Sequence, residues 1–548
     1  LGELRLLTWD EQAGDWRASR TTAEPATGSL ATTVFSAGVY AAASSGPTYG
    51  VTILPSLKAF TSDLWSGAAS VGYDLDVPAG PAGLGVGLRL AYNSQGSNIL
   101  GQVAGSAYQA QASWVGLGWD MAGIGSISRP LGKTGPYNLS FGGGAFEIKQ
   151  SGGVLTTDPQ GFLKIEHSGG LAWNTQPWTV RTPDGMKYTF GNPAGGVGGG
   201  TAYEAFWTGW GQGCGVRATQ WGLTRIEDPA GNRWDIAWAH ETKGVSNGCT
   251  GNAGQYTRAS YPETLTLTPK NGAATVRVRL VREPRNDKNV CKYSDPYQIS
   301  SFGDGRLKQV FVEAYTAAGA WQLVRRYDLG YTYDSTTLGC GTDPGSGNHS
   351  LLTSITQYGS NGASALPAYT FGYQGGGNSV RLRTANNGYG GAVQFNYSPE
   401  FVGNNAGCTS YQWQVVTSQV ITNGAASGLG LFSTTEYAPT GAYAYVTPVG
   451  CNNGAEIPRD TYEFLGHTAV QEVAKDAAGQ AVTQRNHSYS YQYNASAGKP
   501  DPRKGKETLV ITTQPGGGEL ARTATGWLLQ TVGGVDWPYT SAVTQTQG

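Results

Sequence analysis

Apolar side chains recur at every second residue along most of this chain, in short runs broken by turns. Trp178 and Val180 precede Pro183-Asp184-Gly185, and Tyr188 and Phe190 follow it. Ile226 precedes the stretch Asp228 to Asn232, and Trp234, Ile236 and Trp238 follow. Leu265 and Leu267 stand before Lys270-Asn271-Gly272, with Val276, Val278 and Leu280 behind it. Tyr327, Leu329, Tyr331 and Tyr333 alternate, as do Tyr411, Trp413 and Val415, and later Tyr489, Tyr491 and Tyr493. Residues two apart share one face of a strand. Such runs joined by Asp-Gly or Asn-Gly are a strong hairpin signal. The pattern predicts an all-β chain of antiparallel hairpins whose wide aromatic face needs a partner sheet or a closed, curved surface. No stretch of ten or more residues reads as a helix. Ala469 to Ala478 comes nearest and fits a strand and turn as well.

The pattern changes near the start. Leu4, Leu6 and Trp9 predict one strand, Asp10 to Gly14 a turn, and Trp16 the opening of a second. Glu24 to Gly28 is another turn before Ser29 to Tyr40. So few short strands hardly bury a core of their own. Residues 1–45 therefore read as the end of a β-sandwich module that begins upstream. Ala41 to Gly50 is small and polar, as a linker should be. Between 71 and 92, Leu84, Val86, Leu88 and Leu90 alternate with small residues. From Trp114 to Ile127, glycines at 116, 118, 123 and 125 separate large side chains, which suits sharply curved β structure. Neither end looks like a natural terminus, so the chain is expected to be cut from a longer polypeptide. A lost leader is compatible with that reading.

Composition narrows the class. Of 548 residues, 83 are glycine, about twice the usual share of roughly 7%. Charged residues make up only 14%, against about 25% in an average protein. Coiled coils need more Glu, Lys and Arg, and collagen needs glycine at every third position. The 30 Tyr, 16 Trp and 14 Phe are too large an apolar load for simple disorder. With 37 basic and 38 acidic residues the net charge is -1, so no global field draws nucleic acid or an anionic membrane. No run reaches the ~18 apolar residues of a membrane-spanning helix.

Particular residues carry a resemblance. Tyr73-Asp74-Leu75-Asp76-Val77-Pro78-Ala79-Gly80 is followed by Leu88-Arg89-Leu90-Ala91-Tyr92-Asn93-Ser94. Trp114-Val115-Gly116-Leu117-Gly118-Trp119 comes next, and Gly125-Ser126-Ile127-Ser128-Arg129 closes the series. This series resembles the opening of the shell in the Rhs, or YD-repeat, family, in particular the N-terminal part of toxin-complex B-type proteins. Gly222 to Asp228 with Gly231-Asn232, Gly305-Arg306-Leu307, Arg459 to Gly466 and Pro502 to Lys506 resemble later units of the same family. The resemblance implies a strip of sheet spiralling around a hollow that holds a cargo, such as a C-terminal segment of the same longer polypeptide. It also implies a division into 1–45 as the end of an upstream β module, 46–70 as linker, 71–537 as the shell region and 538–548 as tail. The chain departs from the family in two ways. Tyr-Asp pairs occur at Tyr73-Asp74, Tyr327-Asp328 and Tyr333-Asp334 without a regular repeat, and the self-cleaving core is absent.

Candidate chemistry is sparse. His167, His240, His349, His467 and His487 are scattered, with no HExxH. Gly244-Val245-Ser246-Asn247-Gly248 spells a nucleophile elbow but lacks the helix that must follow. Gly132-Lys133-Thr134 lacks both the earlier glycine and the helix of a phosphate loop. Asp184, Glu227, Asp228 and Glu241 lie near tryptophans, as glycosidase carboxylates can, yet Asp184 and Asp228 sit in predicted turns. No metal or cofactor is expected. The six cysteines, Cys214, Cys249, Cys291, Cys340, Cys408 and Cys451, show no CxxC spacing. An oxidising compartment suits them. Pairing between neighbours, as Cys214–Cys249, Cys291–Cys340 and Cys408–Cys451, would staple three insertions and contribute about 2–4 kcal/mol each. The alternative is six isolated thiols. Sequons for glycosylation begin at Asn138, Asn348, Asn396, Asn486 and Asn494, and chance supplies several in such a chain.

The expectation is thus a secreted or cell-surface β-shell scaffold without catalysis, enclosing or displaying a cargo. The rival is an extracellular carbohydrate-binding or adhesion module that takes cell-surface glycans on its aromatic faces, and a glycosidase is the third reading.

Overall fold

In a computed structural model, the chain divides into two compact units, Leu1–Pro55 and Ser56–Gly548. The structure describes residues 60–98, 111–130, 135–169, 175–196, 198–205, 216–244, 255–287, 303–334, 349–375, 380–401, 412–423, 432–441, 462–491, 499–532 and 534–548. It also describes short strands at 4–10, 15–18, 22–24, 29–31, 40–44, 403–404, 443–446 and 493–494.

In the first unit, Leu4–Asp10 pairs with Asp15–Ala18 on one side and Tyr40–Ser44 on the other. Thr22–Glu24 and Ser29–Ala31 form a separate hairpin.

The second unit is almost entirely antiparallel β. A four-stranded sheet comes first, from Phe60–Asp63, Ala68–Asp74, Arg89–Asn93 and Trp119–Ala122. Of the 46–70 segment expected to be a linker, residues 60–70 thus belong to this sheet. Thr61, Ser62 and Asp63 face Ser70, Ala69 and Ala68 across a tight turn, and small side chains there let the two strands close. Among the described residues, twenty-five of the strands from Ser126 to Gln547 then join into one sheet, nearly all paired with their sequence neighbours, while Gly403–Asn404, Tyr443–Val446 and Tyr462–Gly466 form a small separate sheet and Tyr493–Asn494 and Lys499–Pro500 a separate pair. The longest helix described is the single turn Gln95–Asn98. Ala469–Lys475 is a strand ending in a turn at Asp476, whose Oδ1 accepts from the Ala478 and Gln480 N–H groups.

Two devices bend this strip. Many ladders carry a register shift, as between Ala237 and Trp238, Val281 and Arg282, Gly330 and Tyr331, and Asn396 and Tyr397. An extra residue on one strand bends it and raises its twist. The second device is a fork. Val216–Glu227 pairs along its first half with Thr201–Ala205 and Ser126–Ser128, and along its second half with Lys187–Phe190 and Arg233–Gly244. The strip also returns on itself. Gln160 Nε2 donates to the Val532 carbonyl at 3.2 Å, and the Phe162 and Trp537 rings meet edge-on at 5.0 Å.

One core runs between the four-stranded sheet and the strip. Val71, Leu90, Tyr92, Trp119 and Met121 point inward from the small sheet and are buried. Tyr73 meets Tyr369 edge-on at 4.8 Å, and Trp119 packs on Phe371 at 4.7 Å. Polar handles on these rings find partners: Trp119 Nε1 donates to Tyr373 Oη, and the Asp76 N–H to Tyr327 Oη, both at 2.9 Å. Leu84, Val86 and Leu88 are buried as their alternation predicts, although only Arg89–Asn93 is a regular strand there.

Two expectations need correction. Residues 538–548 are no tail: Val535–Gln547 is the last strand of the strip and pairs along its length with Glu519–Val532. Pro538 is tolerated there because an outermost strand has a free side on which a missing N–H costs nothing. Tyr489, Tyr491 and Tyr493 do not share a strand. Ala481–Tyr489 ends at the first of them, and Tyr491 is exposed.

Candidate functional site

The outer face of the four-stranded sheet is polar, because strand alternation sets Thr61, Ser70, Asp74, Arg89, Asn93 and Asp120 opposite the buried set. Two concavities open on this face, of about 970 and 680 Å3. Arg89, Ala91 and Asp120 line both. Arg89 lies across Gly72, where a Cβ would collide with its guanidinium, and reaches Asp74 at 3.1 Å. Asp120 faces the cavities and is exposed to them. Protein nonetheless surrounds it, and this burial pushes its carboxyl above the usual range, opposed by the Met121 N–H that it accepts. The larger cavity is walled by the backbone of Gly85, Gly87, Gly123, Gly125 and Gly142 to Gly144, and by Trp114, Tyr188, Trp238, Gln220 and Ser260. Gly123 has φ +93, and a Cβ there would strike the Val86 and Gly87 carbonyls. The arrangement offers two carboxylates, one guanidinium and four aromatic rings, those of Trp114, Phe141, Tyr188 and Trp238, to a ligand of moderate size.

The carboxylates singled out in the sequence serve the scaffold. Asp228 closes a turn and accepts from the Asn232 backbone and side chain at 2.8 and 2.7 Å. Burial pushes its carboxyl up, but the Asn232 hydrogen bonds outweigh this and hold it below the usual range. The Thr182 hydroxyl lowers Asp184 in the same manner. Glu241 is paired with Arg258 at 3.1 Å and Arg282 at 3.6 Å, and accepts from the Asp304 N–H. Glu227 sits between Lys187 and Arg233 in the ladder. Asp74 and Asp120, which do face a cavity, were missed as a pair. Their only sequence signal is the alternation that sets them opposite Leu75 and Trp119.

His167 lies on the Trp178 ring at 4.0 Å, and His240 Nδ1 meets Ser260 Oγ at 2.9 Å. His349 is buried against Asp334, 3.0 Å away. His487 contacts Glu507 at 2.7 Å and Glu472 at 3.8 Å. His467 contacts Glu400 at 2.6 Å. Among the described residues, no three His, Cys, Asp or Glu side chains converge as a metal site would require. All six cysteines lie outside the described residues, as do Lys133 and Ser246. Of the sequons, Asn138 is exposed, Asn396 and Asn486 are half-buried in ladders, Asn494 lies in a short strand and Asn348 lies outside the described residues.

No protein-family model and no curated protein matches the chain. Among solved structures it is similar to the N-terminal domain of effector protein SpvB from Salmonella typhimurium strain LT2, at 14% identity and a TM-score of 0.34, covering 52% of this chain and 98% of that one. It is similar to the Photorhabdus luminescens Tc holotoxin pore at 12% identity and a TM-score of 0.36, covering 90% of this chain and 24% of that chain. A TcdB2-TccC3 complex gives 13% identity and a TM-score of 0.38, with 90% and 27% covered. The chain thus spans about a quarter of the toxin chains it matches.

Proposed function

We propose that this chain is wall material of a secreted or cell-surface β-shell, a scaffold that encloses a cargo segment and does no chemistry itself. One observation carries the reading. The last two strands pair with each other along their length yet are covered on neither face. Glu519–Val532 and the second half of Val535–Gln547 are exposed or half-exposed at nearly every position. Their sequences are accordingly rich in Thr, Ser, Gln and Ala, which tolerate water on both sides. A globular core needs two packed layers. A container needs a single layer that satisfies its own backbone hydrogen bonds and leaves few free edges. The sequence series from Tyr73 to Arg129 supports the same reading.

Electron microscopy of the intact protein tests it. The expected map shows a wall one sheet thick, about 10 Å, around an empty space. A solid particle would overturn the proposal.

The second reading, a glycan-binding module, draws on the larger cavity, where Trp114, Tyr188 and Trp238 stand with Asp74, Asp120 and Gln220. A glycan array separates the two. The shell predicts no ligand, and the module predicts one that is lost on Trp114→Ala.

Disulfides are part of the proposal. Pairing between sequence neighbours, as Cys214–Cys249, Cys291–Cys340 and Cys408–Cys451, would staple three insertions between strands.

A further inference from the structure

On the face turned away from the core, one row of charges crosses five strands. Lys164 stands opposite Arg181, Arg181 opposite Lys187, Lys187 opposite Glu227, and Glu227 opposite Arg233. The neighbouring row, Ile165, Val180, Tyr188, Ile226 and Trp234, points the other way and packs in the core. The charged row is open to solvent, with the side chains of Lys164, Arg181 and Arg233 exposed by 70%, 42% and 37%. Along it the signs run plus, plus, plus, minus, plus.

The fold does not ask for this order. Like charges directly opposite one another destabilise a sheet, and Lys164, Arg181 and Lys187 are three in succession. Two residues along the same face, Thr179 stands opposite Thr189, so an uncharged pair serves there as well. Nearby carboxylates offset the repulsion only in part. Glu166 takes Lys164 at 2.9 Å and reaches Arg181 at 3.8 Å. Asp235 is shared between Arg225 and Arg233 at 2.7 and 2.8 Å. Asp184 and Asp228, in the adjoining turns, accept from Thr182 and Asn232 of those same turns.

Spacing and sign together define what fits. Neighbouring strands lie about 4.7–4.9 Å apart, so the row runs for roughly 19 Å. An α-helix brings a side chain to one side once per turn, about every 5.4 Å, and long side chains absorb the difference. An extended strand repeats a face only about every 6.8 Å, and duplex DNA carries a charge about every 1.7 Å. A uniform polyanion would also meet repulsion from Glu227, whereas a helix can set a lysine there. We propose that this row docks an acidic helix of a partner protein, with carboxylates one turn apart against Lys164, Arg181, Lys187 and Arg233 and a basic side chain against Glu227. This holds whether or not the unit encloses a cargo.

A stapled, alanine-rich helix with Glu, Glu, Glu, Lys and Glu one turn apart tests the row, beside an isomer whose same charges are spread around the helix. Fluorescence anisotropy follows binding to the intact protein at about 0.1 M salt, where the Debye length is about 10 Å. The ordered helix should bind about tenfold more tightly than its isomer. Arg181→Glu should lower that affinity about tenfold and raise the melting temperature, because it replaces two like-charge oppositions by opposite ones. A helix with lysine in place of its second glutamate should restore binding to this variant. Equal binding of the two isomers, undiminished binding by Arg181→Glu or a fall in its melting temperature would overturn the proposal. So would tighter capture of heparin or of a DNA duplex than of the ordered helix. If Arg181→Glu does not fold, the comparison of the two isomers decides.

Discussion

Trp234 and Tyr491 were both read from period-two alternation, and they end in opposite places. Trp234 is fully buried with Nε1 3.3 Å from the Leu84 carbonyl, whereas Tyr491 lies beyond the end of its strand in solvent. Trp234→Ala should therefore cost about 3–5 kcal/mol, through lost burial and a cavity. Tyr491→Ala should stay within about 0.5 kcal/mol. Denaturant unfolding monitored by circular dichroism measures both, and equal effects would refute the assignment of faces. Asp120 gives a prediction with a sign. Its carboxyl is raised in the folded state, so the native protein binds more protons than the unfolded chain above the ordinary aspartate range, about pH 4. Its contribution to stability then falls as the pH rises through that window. Asp120→Asn should remove this part of the pH dependence and stabilise the protein at neutral pH. Thermal melts from acid to neutral pH would show it, and a parallel pH profile for parent and variant would count against it.

Hairpins were the most legible elements, because alternation and turn chemistry agree at Ile226 to Trp238 and at Leu265 to Leu280, and both form where expected. The small sheet was less legible. Its strands are only four to seven residues long, and Phe60–Asp63 looks polar because half of it faces a cavity. The candidate site was not legible at all, since it is made by packing residues from 74 to 262 side by side. The fork strand Val216–Glu227 is a third case. Its Gly222, noted in the sequence only as part of a resembling stretch, has a packing reason: the Trp238 indole lies where its Cβ would be, with Nε1 donating to the Leu223 carbonyl at 2.9 Å. Gly222→Ala should displace that ring and destabilise by about 1–3 kcal/mol, with a change in tryptophan fluorescence. An unaltered spectrum and melting curve would show that the fork does not depend on this approach. The connections carrying cysteines make a further prediction at this scale. If neighbours are linked, alkylation without reductant should leave at least four of the six unlabelled, as intact mass would report. Six labels would remove disulfides from the account.

Closure of the whole strip rests on few contacts, and Phe162 is the most telling. It has φ 53, a conformation that bulky side chains rarely adopt. Gln160 Oε1 accepts its N–H at 2.9 Å while Gln160 Nε2 reaches the Val532 carbonyl, so one glutamine both fixes the strained turn and bridges the seam. The strain aims the ring at Trp537, which itself stacks with Tyr539 at 5.8 Å. Such a backbone persists only where its surroundings over-determine it, at about 1–3 kcal/mol. An edge-to-face ring pair returns about 0.5–1.5 kcal/mol. These magnitudes separate two substitutions. Phe162→Ala keeps the strain and loses the ring, so it should destabilise by about 1 kcal/mol and open the seam. Phe162→Gly loses the ring but also relieves the strain, so global stability should hardly move while the seam still opens. Hydrogen exchange at 154–167 and 535–547 reads the seam, and denaturant unfolding reads the rest. If Phe162→Gly left exchange at both segments unchanged, the ring contact would not be what closes the strip.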